Sequence, residues 1–239
     1  ANNTIDALYQ PIVSINGITG ERYEILRSLF AEDRTEIAKN EYMPVAERTG
    51  LAKALDRWAI VNAIKTIATS AKAGRKLDVF IPLSCDAITD ASLAGWVSDR
   101  IKNAKIPSER LVFMLDEAHV VNQLKAAKNL FQGLKEIHCQ IVLDNFGTGL
   151  NPFQLVKHIQ PDFIRINTEY MEGLSSSPDN QNSIRELTTQ ASSMEISSII
   201  PKVVDASILS VLWTVGADFV QGDFLQAPAA SLEYDFSSM

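Results

Sequence analysis

Short apolar runs rich in β-branched residues recur along this chain with helix-like stretches between them, and this alternation constrains the fold more than any other feature. Repeated βα units build a parallel sheet, whose strands are covered on both faces and therefore read as nearly continuous apolar runs. The runs fall at residues 8–13, 22–28, 78–83, 111–115, 140–143, 163–166, 198–203 and 219–220. Eight such runs in 239 residues predict an α/β fold of the (β/α)8 TIM-barrel kind. Only residues 14–21, with Gly17 and Gly20, separate the first two runs. That is too short for a crossover helix and suited to a hairpin, so the first strand should run antiparallel to the rest. Pro44 should begin a long helix reaching Ile67, and Leu124, Ala127, Phe131 and Leu134 mark a second amphipathic helix. Residues 175–177, all serine and followed by Pro178, read as a loop.

Composition narrows the partners. With 22 Lys+Arg against 29 Asp+Glu, the net charge of −7 argues against a general nucleic-acid surface, because neutralising a phosphate backbone needs a basic field. A phosphate ligand would have to find a local pocket of positive potential. The length and the 46% hydrophobic content suit one domain over residues 1–239. The abrupt start at Ala1-Asn2-Asn3-Thr4 suggests a piece excised from a longer multidomain protein. Cys85 and Cys139 sit in apolar stretches without a cysteine or histidine partner nearby, which suggests buried thiols in a reducing, cytoplasmic compartment. No signal peptide and no apolar run of about 18 residues is present.

Three places carry candidate chemistry. In Leu143-Asp144-Asn145-Phe146-Gly147-Thr148-Gly149 a β-run ends in an acid and a Gly-rich turn. An acid at the C-terminal end of a barrel strand is placed for metal or substrate contact, whereas the glycines can serve the turn alone. In Asp162-Phe163-Ile164-Arg165-Ile166-Asn167, alternation lets Arg165 point either into the barrel or outward between helices. Gln10, polar within an apolar strand and followed by Pro11, reads as directed at a ligand. Trp58 and Trp96 lie in helical patterns and read as core, and His119 lacks a second histidine at metal spacing.

With Tyr9-Gln10-Pro11-Ile12-Val13, Glu24-Ile25-Leu26, Pro44-Val45-Ala46-Glu47, Leu55-Asp56-Arg57-Trp58 and Gln221-Gly222 in the same order, the chain resembles the EAL domain family over nearly its whole length. That family comprises cyclic di-GMP phosphodiesterases and their inactive relatives. The resemblance implies a barrel with a reversed first strand. In active members it implies carboxylates holding two divalent cations that activate water and clamp the phosphodiester. Glu24, Asp144 and Glu117 match acidic positions of that site. The others depart: Pro82 stands for an Asn, Met114 for a Glu, Asn145 for an Asp, Arg165 for a catalytic Lys, and Lys202 and Asp205 for two Glu. Hard cations need oxygen ligands that proline and methionine lack. The resemblance therefore implies a degenerate domain, not an enzyme, with no catalytic residue, no metal and no cofactor.

The same departures suit a receptor. Against the family pattern they add about +1 at Met114, +1 at Asn145 and +2 at Lys202, roughly four charges, and a unit charge about 5 Å from a phosphate is worth about 3 kcal/mol at an effective dielectric near 20. The resemblance implies cyclic di-GMP held by Gln10 and Gln221 at guanine or phosphate edges. Leu26, Pro201 and Gly222 would line its surface, Asp56 would accept from a guanine, and Arg27 would fork onto a phosphate. Arg27, however, follows Glu24 by three residues where the family places its Arg four after, with Ser28 at that place. A one-residue slip in a strand reverses the facing, so either the strand is irregular or Arg27 points away. Among degenerate members the chain looks most like the FimX type, regulators of type IV pili and twitching motility. This implies a PilZ-domain protein as partner, and EAL domains often form homodimers through the later helices of the barrel. A weak residual metal-dependent phosphodiesterase and a ligand-free protein-interaction scaffold remain the alternatives.

Overall fold

The computed structural model describes residues 4–237, so the opening residues 1–3 lie outside the described chain. Ile5–Pro11 (β1), followed after Ile12 by Val13–Ser14 (β2), turns back into Glu21–Phe30 (β3). The turn is made possible by Gly17 and Gly20 at φ +82° and +122°, where a Cβ would be strained. β1 and β3 pair antiparallel without a bulge, from Ile5↔Leu29 to Pro11↔Tyr23. A two-residue strand, Glu36–Ile37 (β4), is appended to the far end of β3. Leu77–Pro82 (β5), Leu111–Asp116 (β6), Gln140–Phe146 (β7), Phe163–Ile166 (β8), Ser197–Ile200 (β9) and Phe219–Val220 (β10) then follow one another in parallel. β10 pairs antiparallel with β2, which brings the ladder back to the segment where it began. The sheet is thus the expected barrel with its first strand reversed, and all eight expected runs lie on its staves.

The helices are Lys39–Arg48 (α1), Ala52–Lys72 (α2), Leu93–Ala104 (α3), Glu117–Asn122 (α4), Leu124–Glu136 (α5), Pro152–Ile159 (α6), Pro178–Ser192 (α7) and Ala206–Thr214 (α8). Pro44 does not begin a long helix but lies inside α1, and Gly50 at φ +73° ends that helix before α2 starts. Glycine tolerates the left-handed conformation that closes a helix, so one continuous apolar pattern is cut into two segments. The serine loop ends as Ser177 accepts from the Asn180 amide at 3.3 Å, capping α7, with Pro178 in the first helical position.

Two apolar layers result. The helices cover the outside of the sheet. Inside the barrel Ile12, Phe80, Val112, Met114, Val142, Phe163, Ile199 and Phe219 form a separate buried cluster. The floor of any site at the strand ends is therefore dry and packed. The C-terminal segment lies back along the first hairpin: Ala229 bridges Tyr9, and Phe236 packs edge-on to Tyr23 with centroids 5.3 Å apart. Cys139 is buried and Cys85 only half-buried; both thiols are free, and burial pushes them up to about 12 and about 11. Among the described residues no helix is long and apolar enough to cross a membrane.

Candidate functional site

The period of two along a strand decides what surrounds the barrel mouth. Two residues along from interior-facing side chains on successive strands come Pro82 after Phe80, Met114, itself the top of the interior cluster, after Val112, Asp144 after Val142, and Arg165 after Phe163. Pro201 follows Ile199 and Gln221 follows Phe219 in the same way, while on the reversed strand Gln10 stands two residues before Ile12. Glu24 faces Gln10 across the β1–β3 ladder. These positions form one layer at the C-terminal ends of the parallel strands, where barrels of this type carry their chemistry. Two of them, Pro82 and Met114, extend the apolar interior upward.

Arg165 organises the polar members, because alternation sends its side chain inward. Its Nε and Nη2 donate to the two Asp144 oxygens at 2.7 and 2.6 Å, and Nη1 donates to Glu24 Oε2 at 2.5 Å and Gln221 Oε1 at 3.2 Å. Gln221 Nε2 donates to Glu24 Oε2 at 2.7 Å and Gln10 Oε1 at 3.1 Å, and Gln10 Nε2 donates to Asp223 Oδ1 at 2.9 Å. Burial alone would push the Asp144 carboxyl up, but the charge and fork of Arg165 reverse this and hold it below the usual carboxylate range. Burial likewise opposes the Arg165 cation, and the two carboxylates more than restore it, so its pKa is raised.

Above this layer a pocket of about 290 Å³ is lined by Gln10, Glu24, Arg165, Pro201, Lys202 and Gln221, with Asn145, Thr168, Val204, Gly222 and Asp223 at its edges. A second hollow of about 220 Å³ contains Leu8, Leu26, Arg27, Tyr42, Pro82 and Pro228. Leu8↔Leu26 is the next same-face pair after Gln10↔Glu24, so the two hollows follow one another along one hairpin, about 7 Å apart. An elongated ligand can lie along both. The charged residues lining the larger pocket, Glu24 and Asp223 against Arg165 and Lys202, balance. The lining is thus close to neutral rather than positive, and Asp144 behind Arg165 adds a further negative charge.

Several expected contacts sit elsewhere. The unbulged ladder leaves Glu24 and Leu26 on one face and puts Arg27 on the other, toward α2. There Arg27 Nη1 donates to Asp56 Oδ1 at 3.0 Å and Nη2 donates to the Pro82 carbonyl at 3.3 Å. Asp56 is 1% exposed and also accepts from the Ser84 amide and hydroxyl, the latter at 2.6 Å; burial raises its pKa against the pull of these partners. Arg27 and Asp56 therefore form an ion pair in the wall of the smaller hollow, with their polar atoms turned to each other. Ser28, at the place expected for the Arg, donates to Glu36.

Glu117 is also apart from Glu24 and Asp144. Its Oε2 accepts from the Gly147 amide at 2.9 Å, so it anchors the Gly-rich turn, and burial pushes its carboxyl up although turn amides bond it. Asn145, in the left-handed region at φ +52°, donates to Asp116 Oδ2 at 2.7 Å, a bond that an aspartate there could not make as an anion. Asp205 caps α8 by accepting from the Ile208 amide at 2.9 Å. Gly222 touches the pocket, but its necessity is steric: a Cβ there would stand 2.2 Å from the Val203 carbonyl oxygen. Asp223 and Pro228 were not among the residues expected from sequence. Asp223 adjoins the Gln221-Gly222 motif and could have been suspected; Pro228 is brought to the site by the Tyr9–Ala229 bridge and the bond from Gln10 to the Gln226 carbonyl, long-range contacts that leave no local signature.

Residues 1–228 match the EAL domain family. The chain belongs to that family. Its fold superposes on the EAL domain of FimX from Pseudomonas aeruginosa bound to c-di-GMP with a TM-score of 0.92 and 36% identity, covering 98% of this chain and 94% of that one. The Xanthomonas citri FimX EAL domain in complex with c-di-GMP gives 0.91 and 26%, covering 98% and 91%. Among curated relatives, the cyclic di-GMP phosphodiesterase PdeF of Escherichia coli (strain K12) is 25% identical over 215 residues, 90% of this chain. The chain spans about 29% of the length of that relative.

The residues of this EAL domain do not fit a pair of divalent cations. Pro82 and Met114 bring no side-chain oxygen, Asn145 is turned to Asp116, and a guanidinium stands between Glu24 and Asp144. Among the described residues no group of three or more His, Cys, Asp or Glu is arranged to hold a metal ion.

Proposed function

We propose that this EAL domain is a cyclic di-GMP receptor that binds its ligand without metal and does not hydrolyse it. The observation that carries the reading is the Arg165 fork across Glu24 and Asp144, which offsets one of their two negative charges from within the protein. Intact acids would repel a dianionic dinucleotide unless cations covered them; here Arg165 halves that charge and Lys202 at the pocket lining opposes the rest. The FimX EAL domains bound to c-di-GMP support the same ligand class. Gln10, Gln221 and Pro201 line the larger hollow and Leu26 the smaller, with Gly222 at the edge and the Arg27–Asp56 pair holding the wall behind.

The domain acts in the cytoplasm within a longer signalling protein. Likeness to the FimX type extends the reading to type IV pilus and twitching control, with ligand binding relayed to a PilZ-domain partner. Val204 and Phe224, exposed beside the mouth, offer apolar surface for such a partner.

Calorimetry with cyclic di-GMP in EDTA, paired with a product assay in excess Mg2+ and Mn2+, tests the reading. Binding heat in EDTA and no linear product are expected. Absence of heat would sink the receptor and leave an interaction scaffold. Metal-dependent turnover would overturn inactivity and favour a residual phosphodiesterase like the PdeF relative.

A further inference from the structure

We propose that Arg165 is the built-in counter-cation of this pocket: it takes the place of divalent metal between Glu24 and Asp144 and, through Gln221, sets the orientation of Gln10. In the ring of staves, β3 and β8 lie four apart in either direction, so the Glu24–Arg165 contact spans the barrel mouth from wall to opposite wall. The bridge is largely shielded from water, with side-chain exposures of 14% for Arg165, 5% for Glu24 and 14% for Asp144. Two carboxylates this buried need an opposing charge, and here one guanidinium meets both.

The guanidinium geometry matters as much as its charge. A planar fork grips both Asp144 oxygens while Nη1 reaches Glu24 and Gln221. An ammonium has three donors on one atom and cannot span those positions together. The bond from Nη1 fixes the Gln221 carbonyl toward Arg165, which leaves its amide for Glu24 and for the Gln10 carbonyl. The Gln10 amide is thereby aimed at Asp223. Arg165 is in this sense a positioning residue, and the residues that replace metal ligands elsewhere in the mouth, Pro82 and Met114, are tolerable because the remaining acids no longer call for metal.

The inference deepens the metal-free receptor reading, but its test contains no dinucleotide, so the two can fail separately. Binding of Mn2+ alone is measured by electron paramagnetic resonance, with thermal unfolding in Mn2+ and in EDTA alongside. The unaltered chain should show no Mn2+ response. Arg165→Met should bind Mn2+ at least tenfold more tightly and unfold at higher temperature in Mn2+ than in EDTA. Arg165→Lys should keep the indifference to Mn2+. The triple variant Glu24→Gln/Asp144→Asn/Arg165→Met, with no charge left to balance, should fold and ignore Mn2+. If Arg165→Met folds only when Mn2+ is present, the proposal stands. It is overturned if Arg165→Met gains no Mn2+ response, if Mn2+ fails to recover it while the triple variant folds, if the triple variant responds to Mn2+, or if the unaltered chain does.

Discussion

Gly222→Ala should unfold the barrel mouth, although the change adds a single methyl group. The Cβ would stand 2.2 Å from the Val203 oxygen and 2.3 Å from the Val203 nitrogen. That is more than about 1 Å inside van der Waals contact, and against backbone rather than a movable side chain. The two segments are stitched together by Val203 N donating to the Gln221 carbonyl at 2.9 Å and Phe224 N donating to the Val203 carbonyl at 3.1 Å. Relief requires them to part, losing one or two hydrogen bonds worth about 1 kcal/mol each. The overpacking itself costs about 1–3 kcal/mol. Together these give roughly 2–5 kcal/mol, a large share of the ~5–15 kcal/mol that holds a typical domain folded. The midpoint of thermal unfolding should fall by on the order of 10 °C, and ligand binding should weaken because Pro201, Lys202 and Gln221 sit on the displaced segments. Gly95→Ala is the control: it lies in α3 with nothing within 4 Å of its added Cβ, so it should stabilise by about 0.5–1 kcal/mol. Urea unfolding followed by circular dichroism measures both. A Gly222→Ala variant within about 0.5 kcal/mol of the unaltered chain would refute the reasoning.

Other predictions follow from the mouth layer. Gln10→Ala should weaken cyclic di-GMP binding about tenfold, roughly 1.4 kcal/mol by calorimetry, and unchanged affinity would count against the placement of the site on β1. Met114→Glu puts a carboxyl among Phe80, Val142 and Phe163; it should destabilise by about 3 kcal/mol or more in urea titration and yield no linear dinucleotide in Mn2+, since Arg165 still covers the remaining acids. Because Asp144 has its pKa depressed in the folded state, its contribution is fully present above the unfolded value near about 4 and is lost as pH falls through the folded one. Asp144→Asn removes the fork while Glu24 still pairs Arg165, and should therefore cost about 1.5–3 kcal/mol at pH 7, and the gap to the unaltered chain should close in acid; a gap that is constant with pH would contradict the pairing.

Much of this was legible in the residues. The apolar runs count the staves, and the short link between the first two reverses the first strand, because hairpins and crossovers need different lengths of chain. The spacing of Arg27 from Glu24 already poses the question of its facing; the unbulged ladder answers it. Where the sequence reading missed, the cause lies in non-local geometry. A helix boundary at Gly50 depends on one residue adopting positive φ, and Glu117 anchors a turn thirty positions away at Gly147.

By itself, then, the sequence determined the barrel, its reversed strand and the absence of side-chain oxygen at Pro82 and Met114, because side-chain chemistry and period are properties of single positions and short windows. What only the tertiary structure decided is how the remaining charges are balanced. Alternation left Arg165 free to face either way; closing the sheet put β8 opposite β3 and turned a lone basic residue into the bridge between Glu24 and Asp144. Pairing of that kind depends on distances across the barrel, which no stretch of chain encodes locally.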